Sequence, residues 1–162
     1  MTVGSSPARP WALDQRRLYL CTPDRPDLEV FVGRCIAGGV DIVQLREKHL
    51  GDAELVRRAA TVHKVCAGSG VPFILNDRPD LAAAMGADGV HIGQDDLSPF
   101  EARSIVGDQA IIGLSTHAPH ELAVALGTRK DEIQSSWPSM SSSRMFINIS
   151  LTSCSLTSKM VE

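Results

Sequence analysis

The sequence predicts an α/β fold of the (β/α)8 TIM-barrel type, here incomplete, with about five βα units followed by a divergent tail. Three observations point to it. From Arg17 to about Leu126 short β-branched runs alternate with amphipathic stretches, the pattern of parallel strands joined by helical crossovers. A segment is echoed within the chain: Ala37-Gly38-Gly39-Val40-Asp41-Ile42-Val43-Gln44-Leu45 and Ala84-Met85-Gly86-Ala87-Asp88-Gly89-Val90-His91-Ile92 both read A-x-G-x-D-x-V-x-aliphatic. Each copy describes a helix ending on glycine, a tight turn and a strand, returning after two βα units. An open doubly wound sheet could use the same repeat. Polar residues, however, close strand after strand at one carboxyl end, where barrel active sites are assembled.

The elements follow in order. Leu18 to Cys21, Ile42 to Arg46, Phe73 to Asp77, Gly89 to Gly93 and Ile111 to Ser115 are the expected strands, and their near-continuous apolar character fits strands covered on both faces. Between them Asp27 to Ile36, Asp52 to Cys66, Asp80 to Met85, Ser98 to Val106 and Pro119 to Leu126 read as helices, several opening with Asp or Ser as N-cap. Ser98-Pro99-Phe100-Glu101 is the clearest start, combining a capping box with proline at the first helical position. Three regions result: an N-terminal extension over 1–16, a partial barrel over 17–127 and a serine-rich divergent tail over 128–162. The tail contains no glycine and no alanine and is expected to be poorly ordered, although Phe146 to Leu151 alternates like a short strand without a specified partner.

Composition excludes several function classes. The 162 residues carry a net charge of -3, so no broad basic field exists for nucleic acid or an anionic membrane. No apolar run is long enough for a membrane helix, and the start lacks a signal-peptide core, which leads to the expectation of a cytoplasmic protein. The four cysteines form no Cys-x-x-Cys pair; Cys21, Cys35 and Cys66 read as small buried hydrophobes. At 162 residues the chain is also well short of a barrel of about 250 residues.

Chemistry concentrates in three polar clusters: Gln44-Leu45-Arg46-Glu47-Lys48, Asn76-Asp77 and Gly93-Gln94-Asp95-Asp96. Residues two apart on a strand face the same way, so Gln44, Arg46 and Lys48 converge while Leu45 packs on the other side. Asp77 and Asp96 can bring carboxylates to the same mouth, which suits Mg2+ held by one or two carboxylates together with substrate phosphates. A pyrophosphate is the natural ligand of such a set. Each motif has a plainer reading: a solvated strand end balanced by Glu47, a turn at Asn76-Asp77-Arg78-Pro79, and turn residues at Asp95 and Asp96 before the Ser98 cap. His91 faces the interior in this register and reads as a packed, hydrogen-bonded histidine. His63 reads as a surface or edge residue, and His117 and His120 as loop-rim residues.

Arg17-Leu18-Tyr19-Leu20, Gln44 to Lys48, Phe73-Ile74-Leu75-Asn76-Asp77, Gly89 to Leu97 and Gly113-Leu114-Ser115-Thr116-His117 resemble, in order, the successive motifs of thiamine-phosphate synthase, over about residues 17 to 126. The resemblance implies a (β/α) barrel that joins the diphosphate of 4-amino-2-methyl-5-hydroxymethylpyrimidine to a thiazole phosphate, releasing pyrophosphate. It implies that Gln44, Arg46 and Lys48 hold the pyrimidine diphosphate, with Leu45 and Glu47 lining the segment and Arg46 and Lys48 acting catalytically. Asn76 and Ser115 would be further substrate contacts, and Asp77 and Asp96 the Mg2+ carboxylates. It also implies a dissociative reaction through a pyrimidine-methyl cation that the thiazole nitrogen captures.

The family's later Gly-Pro-x-Phe-x-Thr-x-Thr-Lys-like segment is not found after Leu126, where the chain takes on the look of a frameshifted or misspliced end. A five-strand fragment leaves open edges that invite pairing with another copy. The alternatives carried forward are an inactive or regulatory barrel relative that binds the pyrimidine diphosphate without turning it over, a thiazole tautomerase of similar fold, and a phosphate-handling barrel with another substrate.

Overall fold

The computed structural model describes residues 11, 13–116, 145–149 and 159–161. After a 3-10 turn at Leu13–Gln15, strands β1 (Tyr19–Thr22), β2 (Ile42–Leu45), β3 (Phe73–Asn76), β4 (Gly89–Ile92) and β5 (Ile111–Thr116) alternate with helices α1 (Leu28–Ala37), α2 (Asp52–Ser69), α3 (Pro79–Met85) and α4 (Pro99–Val106). β6 (Met145–Ile149) and β7 (Lys159–Val161) complete the described elements. The five expected strands and first four helices are all present, with small shifts at their ends. The expected helix at Pro119 to Leu126 lies outside the described residues, as does most of the 128–162 region.

All strands join one sheet in the order β1-β2-β3-β4-β5-β6-β7. β1 to β6 run parallel, and β7 returns antiparallel on β6. This is a partial barrel wall with helical crossovers. β6 overlaps the strand expected at Phe146 to Leu151, and its partner is β5, with Ser115 opposite Asn148. Among the described residues β1 and β7 do not pair, and no helix is long and apolar enough to cross a membrane.

Strands β2, β3 and β4 are buried on both faces, which explains their apolar runs. On the outer face Val43, Leu45, Phe73, Leu75, Val90, Ile92, Ile112 and Leu114 pack against Leu28, Val32, Leu55, Ala59, Val62, Ala82 and Ala102 of the helices. On the concave face Ile42, Ile74 and Ile111 make an apolar floor covered by Trp11, Leu13 and Tyr19. One residue layer above that floor the concave side chains turn polar. Side-chain alternation thus separates a dry base from a polar carboxyl end.

The echoed segments do equivalent work. Gly39 and Gly86 both take positive φ, 106° and 68°, which a β-carbon would resist. The aspartate two residues on then ties down the start of the preceding strand: the Asp41 carboxylate accepts from the backbone N–H of Arg17 (2.7 Å) and Leu18 (2.9 Å), and that of Asp88 from Phe73 (2.9 Å).

The helix starts correct one expectation. Ser98 forms the full capping box with Glu101. Asp27 stands at the N-cap of α1 without a capping bond, because its carboxylate is held by Arg25. Asp52 and Asp80 lie inside the first turns of α2 and α3, whose N-caps are Gly51 and Arg78. Both of those aspartates bind the Arg78 guanidinium instead.

Candidate active site at the carboxyl end of the sheet

β2 ends at Leu45, so Arg46, Glu47 and Lys48 stand on the loop above it rather than on the strand. The backbone N–H of Arg46 still donates to the Thr22 carbonyl at 2.8 Å, carrying the strand's direction one residue further. The Arg46 guanidinium acts electrostatically on both the Cys21 thiol and the His91 ring, which places its charge over the concave face. Among the described residues it has no carboxylate partner. Lys48 Nζ lies 2.9 Å from Asp77 Oδ2.

Asp77 follows the last residue of β3 with φ 60°, a left-handed conformation that aspartate tolerates better than most residues. Its N–H donates to the His91 carbonyl at 2.8 Å, which locks this turn against β4. Arg78 then bonds both Asp52 (2.5 and 3.1 Å) and Asp80 (2.9 and 2.7 Å), fastening the loop to the start of α2. Burial raises the Asp77 carboxyl above the usual carboxylate range; Lys48 opposes that shift and Asp96 adds to it. Asp96, not Asp95, is therefore the carboxylate beside Asp77. It is held in place by the Gly93 N–H, which donates to its Oδ2 at 2.6 Å.

Below this charged rim runs a layer of uncharged polar groups. The Tyr19 hydroxyl donates to Gln44 Oε1 (2.8 Å), and Gln44 Nε2 donates to Asn76 Oδ1 (2.5 Å). Among the described residues Asn76 Nδ2 is buried without a hydrogen-bond partner. On the other side His91 Nε2 lies 2.7 Å from Ser115 Oγ, and Gln94 Nε2 donates to the Ser115 carbonyl at 2.5 Å. Burial, with Arg46 acting in the same direction and Asp96 against it, lowers the His91 pKa to about 4. The imidazole is neutral at physiological pH.

The structure brings Gln44, Arg46, Lys48, Asn76, Asp77, Asp96 and Ser115 to one end of the sheet. It separates two of the expected site residues from them. Leu45 is fully buried in the helix-side core, because strand alternation turns it away from Gln44. Both carboxylate oxygens of Glu47 accept from backbone, Oε1 from His49 (2.8 Å) and Oε2 from Asp24 (3.4 Å), so this side chain braces the loop. Cys21, expected to be buried, is exposed on the concave face. His63, expected at a surface or edge, stacks on Phe73 with ring centroids 5.6 Å apart. His117 and His120 lie outside the described residues.

Tyr19 and His91 belong to this layer without having been singled out from sequence as site residues, and Gln94, named there only as part of the Gly93 to Asp96 cluster, joins them. Tyr19 and Cys21 alternate on one face of β1, a periodic signal, but which face is concave is decided by pairing with β2.

Among the described residues no three His, Cys, Asp or Glu side chains cluster as a metal site. The carboxylates of Asp77 and Asp96 nevertheless fit a divalent cation. Their mutual repulsion is what a cation between them would relieve, and Mg2+ commonly takes only one or two protein carboxylates, filling its octahedron with water and substrate phosphate.

Comparison with known proteins identifies the family. The family model described as thiamine monophosphate synthase matches residues 18–136, continuing past Leu126. Thiamine-phosphate synthase from Vibrio parahaemolyticus is 46% identical over 112 residues, 67% of this chain and 55% of that protein. The corresponding protein from Thermus thermophilus is 46% identical over 115 residues, covering 68% of this chain and 55% of its own length. That from Thermobifida fusca is 45% identical over 116 residues, 70% of this chain and 53% of its own. Among solved structures, a thiamine phosphate pyrophosphorylase from Pyrococcus furiosus aligns with a TM-score of 0.61 at 29% identity, covering 70% of this chain and 55% of that one. The chain spans about half the length of the curated relatives it matches. With the family model covering well over half of it, the chain belongs to the thiamine monophosphate synthase family.

Proposed function

We propose that the chain acts in thiamine biosynthesis as a transferase, coupling 4-amino-2-methyl-5-(diphosphooxymethyl)pyrimidine to a thiazole phosphate with release of pyrophosphate. The observation that carries this reading is the meeting of Arg46, Lys48, Asp77 and Asp96 at one rim, above a buried amide layer whose Asn76 Nδ2 awaits an acceptor. Cations beside paired carboxylates suit a metal-bound diphosphate, and an amide layer beneath suits a polar heterocycle.

In this reading Arg46 and Lys48 bind the diphosphate and hold positive charge where the leaving group gathers electrons. Gln44, Asn76 and Ser115 orient the pyrimidine and the phosphate nearest it, while Leu45 and Glu47 support the segment from the core and the loop. Asp77 and Asp96 hold Mg2+, whose chemistry when bound is to neutralise phosphate oxygens. The methylene C–O bond breaks and its electron pair leaves with pyrophosphate. The thiazole nitrogen lone pair then forms the new C–N bond, so no general base is needed. Prepositioned charge of this kind stabilises the departing anion more than the bound substrate, which is what accelerates the step. The compartment proposed is the cytoplasm, and the outer edges of β1 and β7, which pair with no further strand among the described residues, are the edges proposed for self-association.

The test is to incubate the purified chain with both substrates and Mg2+ and assay thiamine phosphate. Product is expected, falling by about a hundredfold or more in Arg46→Ala and Asp77→Ala, the scale of losing one transition-state electrostatic contact. Absence of product together with Mg2+-dependent binding of the diphosphate would replace the transferase reading by one of binding alone. Absence of both would refute it.

A further inference from the structure

The amide layer under the mouth is a directed chain of hydrogen bonds that starts at Tyr19, the end remote from the charged rim. The Tyr19 hydroxyl carries a single proton and lies 2.8 Å from Gln44 Oε1, a carbonyl oxygen that can only accept. Tyr19 therefore donates. Gln44 is left with Nε2 toward Asn76, and this nitrogen, which can only donate, lies 2.5 Å from Asn76 Oδ1. Asn76 must then show its Nδ2 elsewhere, and that donor is buried without a partner among the described residues while the residue as a whole is only 4% exposed. An unpaired buried amide donor is destabilising, and a ligand supplying an acceptor removes that cost.

An amide is nearly symmetric in shape, so shape alone does not choose this arrangement over its reverse. With both amides turned over, Asn76 Nδ2 would donate to Gln44 Oε1 and Asn76 would present its oxygen to the ligand. A site offering an oxygen selects donors, and one offering an N–H selects acceptors. Burial keeps the Tyr19 phenol protonated, so its proton is available to Gln44 Oε1 throughout the physiological range; the reversed pair would instead have the phenol oxygen accept from Gln44 Nε2 and send its proton elsewhere.

We propose that Tyr19 is a positioning residue for this site: by donating to Gln44 it fixes the polarity of the Gln44–Asn76 pair, so that Asn76 presents an N–H and selects a ligand bearing a hydrogen-bond acceptor there. The acceptor is a phosphate oxygen or a ring nitrogen. This rests on the reading that the mouth binds a diphosphate, and the experiment separates the two.

Affinities for Mg2+ pyrophosphate and for the Mg2+ pyrimidine diphosphate are measured by calorimetry for the intact chain, Tyr19→Phe, Asn76→Ala and the double variant. Tyr19→Phe is expected to weaken binding about tenfold, the scale of one hydrogen bond to a ligand, and to have no further effect in the Asn76→Ala background. Weakening of both probes identifies a phosphate oxygen as the acceptor, and weakening of the pyrimidine diphosphate alone identifies a ring nitrogen. Binding within about twofold of the parent, or a loss that simply adds to that of Asn76→Ala, overturns the proposal, since a packing defect would act independently of Asn76. If the intact chain binds neither probe, the diphosphate reading fails. The polarity is then decided in the free protein: movement of both side-chain amide signals of Gln44 and Asn76 in Tyr19→Phe supports it, and unmoved signals refute it. Should Tyr19→Phe not fold, Gln44→Glu serves, because a carboxylate accepts from both neighbours and turns the Asn76 oxygen toward the mouth. It is expected to weaken binding of the pyrimidine diphosphate by more than about fiftyfold, and of pyrophosphate with it where the acceptor is a phosphate oxygen; unchanged binding of the pyrimidine diphosphate overturns the proposal.

Discussion

His91 lies inside the concave face, 5% exposed, with its Nε2 on Ser115. Its pKa is held at about 4 against an ordinary 6.5, chiefly by burial. A depressed histidine pKa means that below pH 6.5 the unfolded chain takes up a proton that the folded chain refuses. Its contribution to stability is therefore whole above pH 6.5 and falls as pH drops toward about 4, by up to roughly 3 kcal/mol. Urea unfolding of the parent and His91→Gln at pH 7 and pH 4.5 measures this: the parent should lose more stability between the two pH values than the variant. Equal losses would mean that His91 titrates normally in the fold. At this scale the sequence was informative where chemistry needs charge at a strand end, as at Arg46 and Asp96. It was misleading where a neighbour consumes the group, as backbone N–H groups consume Glu47.

At the scale of elements, helix α4 and strand β4 show two ways in which local sequence is enforced. Ser98 accepts from the Glu101 N–H, and the Glu101 side chain returns to the Ser98 N–H, so Ser98→Ala should cost about 1 kcal/mol. Gly89 opens β4 where a β-carbon would stand 2.3 Å from the Ile111 carbonyl oxygen and 2.7 Å from the Ile111 side chain. Because the obstacle includes backbone, the strand itself has to move. Gly89→Ala should destabilise by about 3 kcal/mol, several times more than Ser98→Ala. Chemical denaturation of the two variants side by side checks the order, and a Gly89→Ala protein as stable as the parent would refute the close approach. The cap was legible because its motif is contiguous. The reason for Gly89 was not, since Ile111 belongs to the next strand and meets it only in the folded sheet.

For the molecule as a whole, the concave face is closed below by residues from the chain's beginning. Trp11, Leu13 and Tyr19 cover Ile42, Ile74 and Ile111, and Arg16 stacks on the Trp11 ring with its guanidinium carbon 5.6 Å from the centroid. Trp11→Ala should therefore expose part of the apolar floor and lower stability by about 2 kcal/mol, with increased binding of a hydrophobic dye. Unchanged stability would mean that the floor is covered without it. Among the described residues the strands form a series from β1 to β7 that does not close, and β6 takes the place beside β5 that a continuing barrel would use. That pairing was not readable from the tail, whose alternation at Phe146 to Leu151 announces a strand but names no partner.

By itself, the sequence determined the βα alternation, the helix cap at Ser98 and the gathering of polar residues at strand ends, because period, capping and turn chemistry act between residues close in the chain. It also determined family membership, through motifs kept in order. Tertiary structure alone decided which side chains of the concave face meet. It joined Tyr19 to Gln44 and Asn76 and set Asp77 beside Asp96 and Lys48. These outcomes depend on the register of parallel strands and on burial, and both arise only when segments distant in sequence pack together.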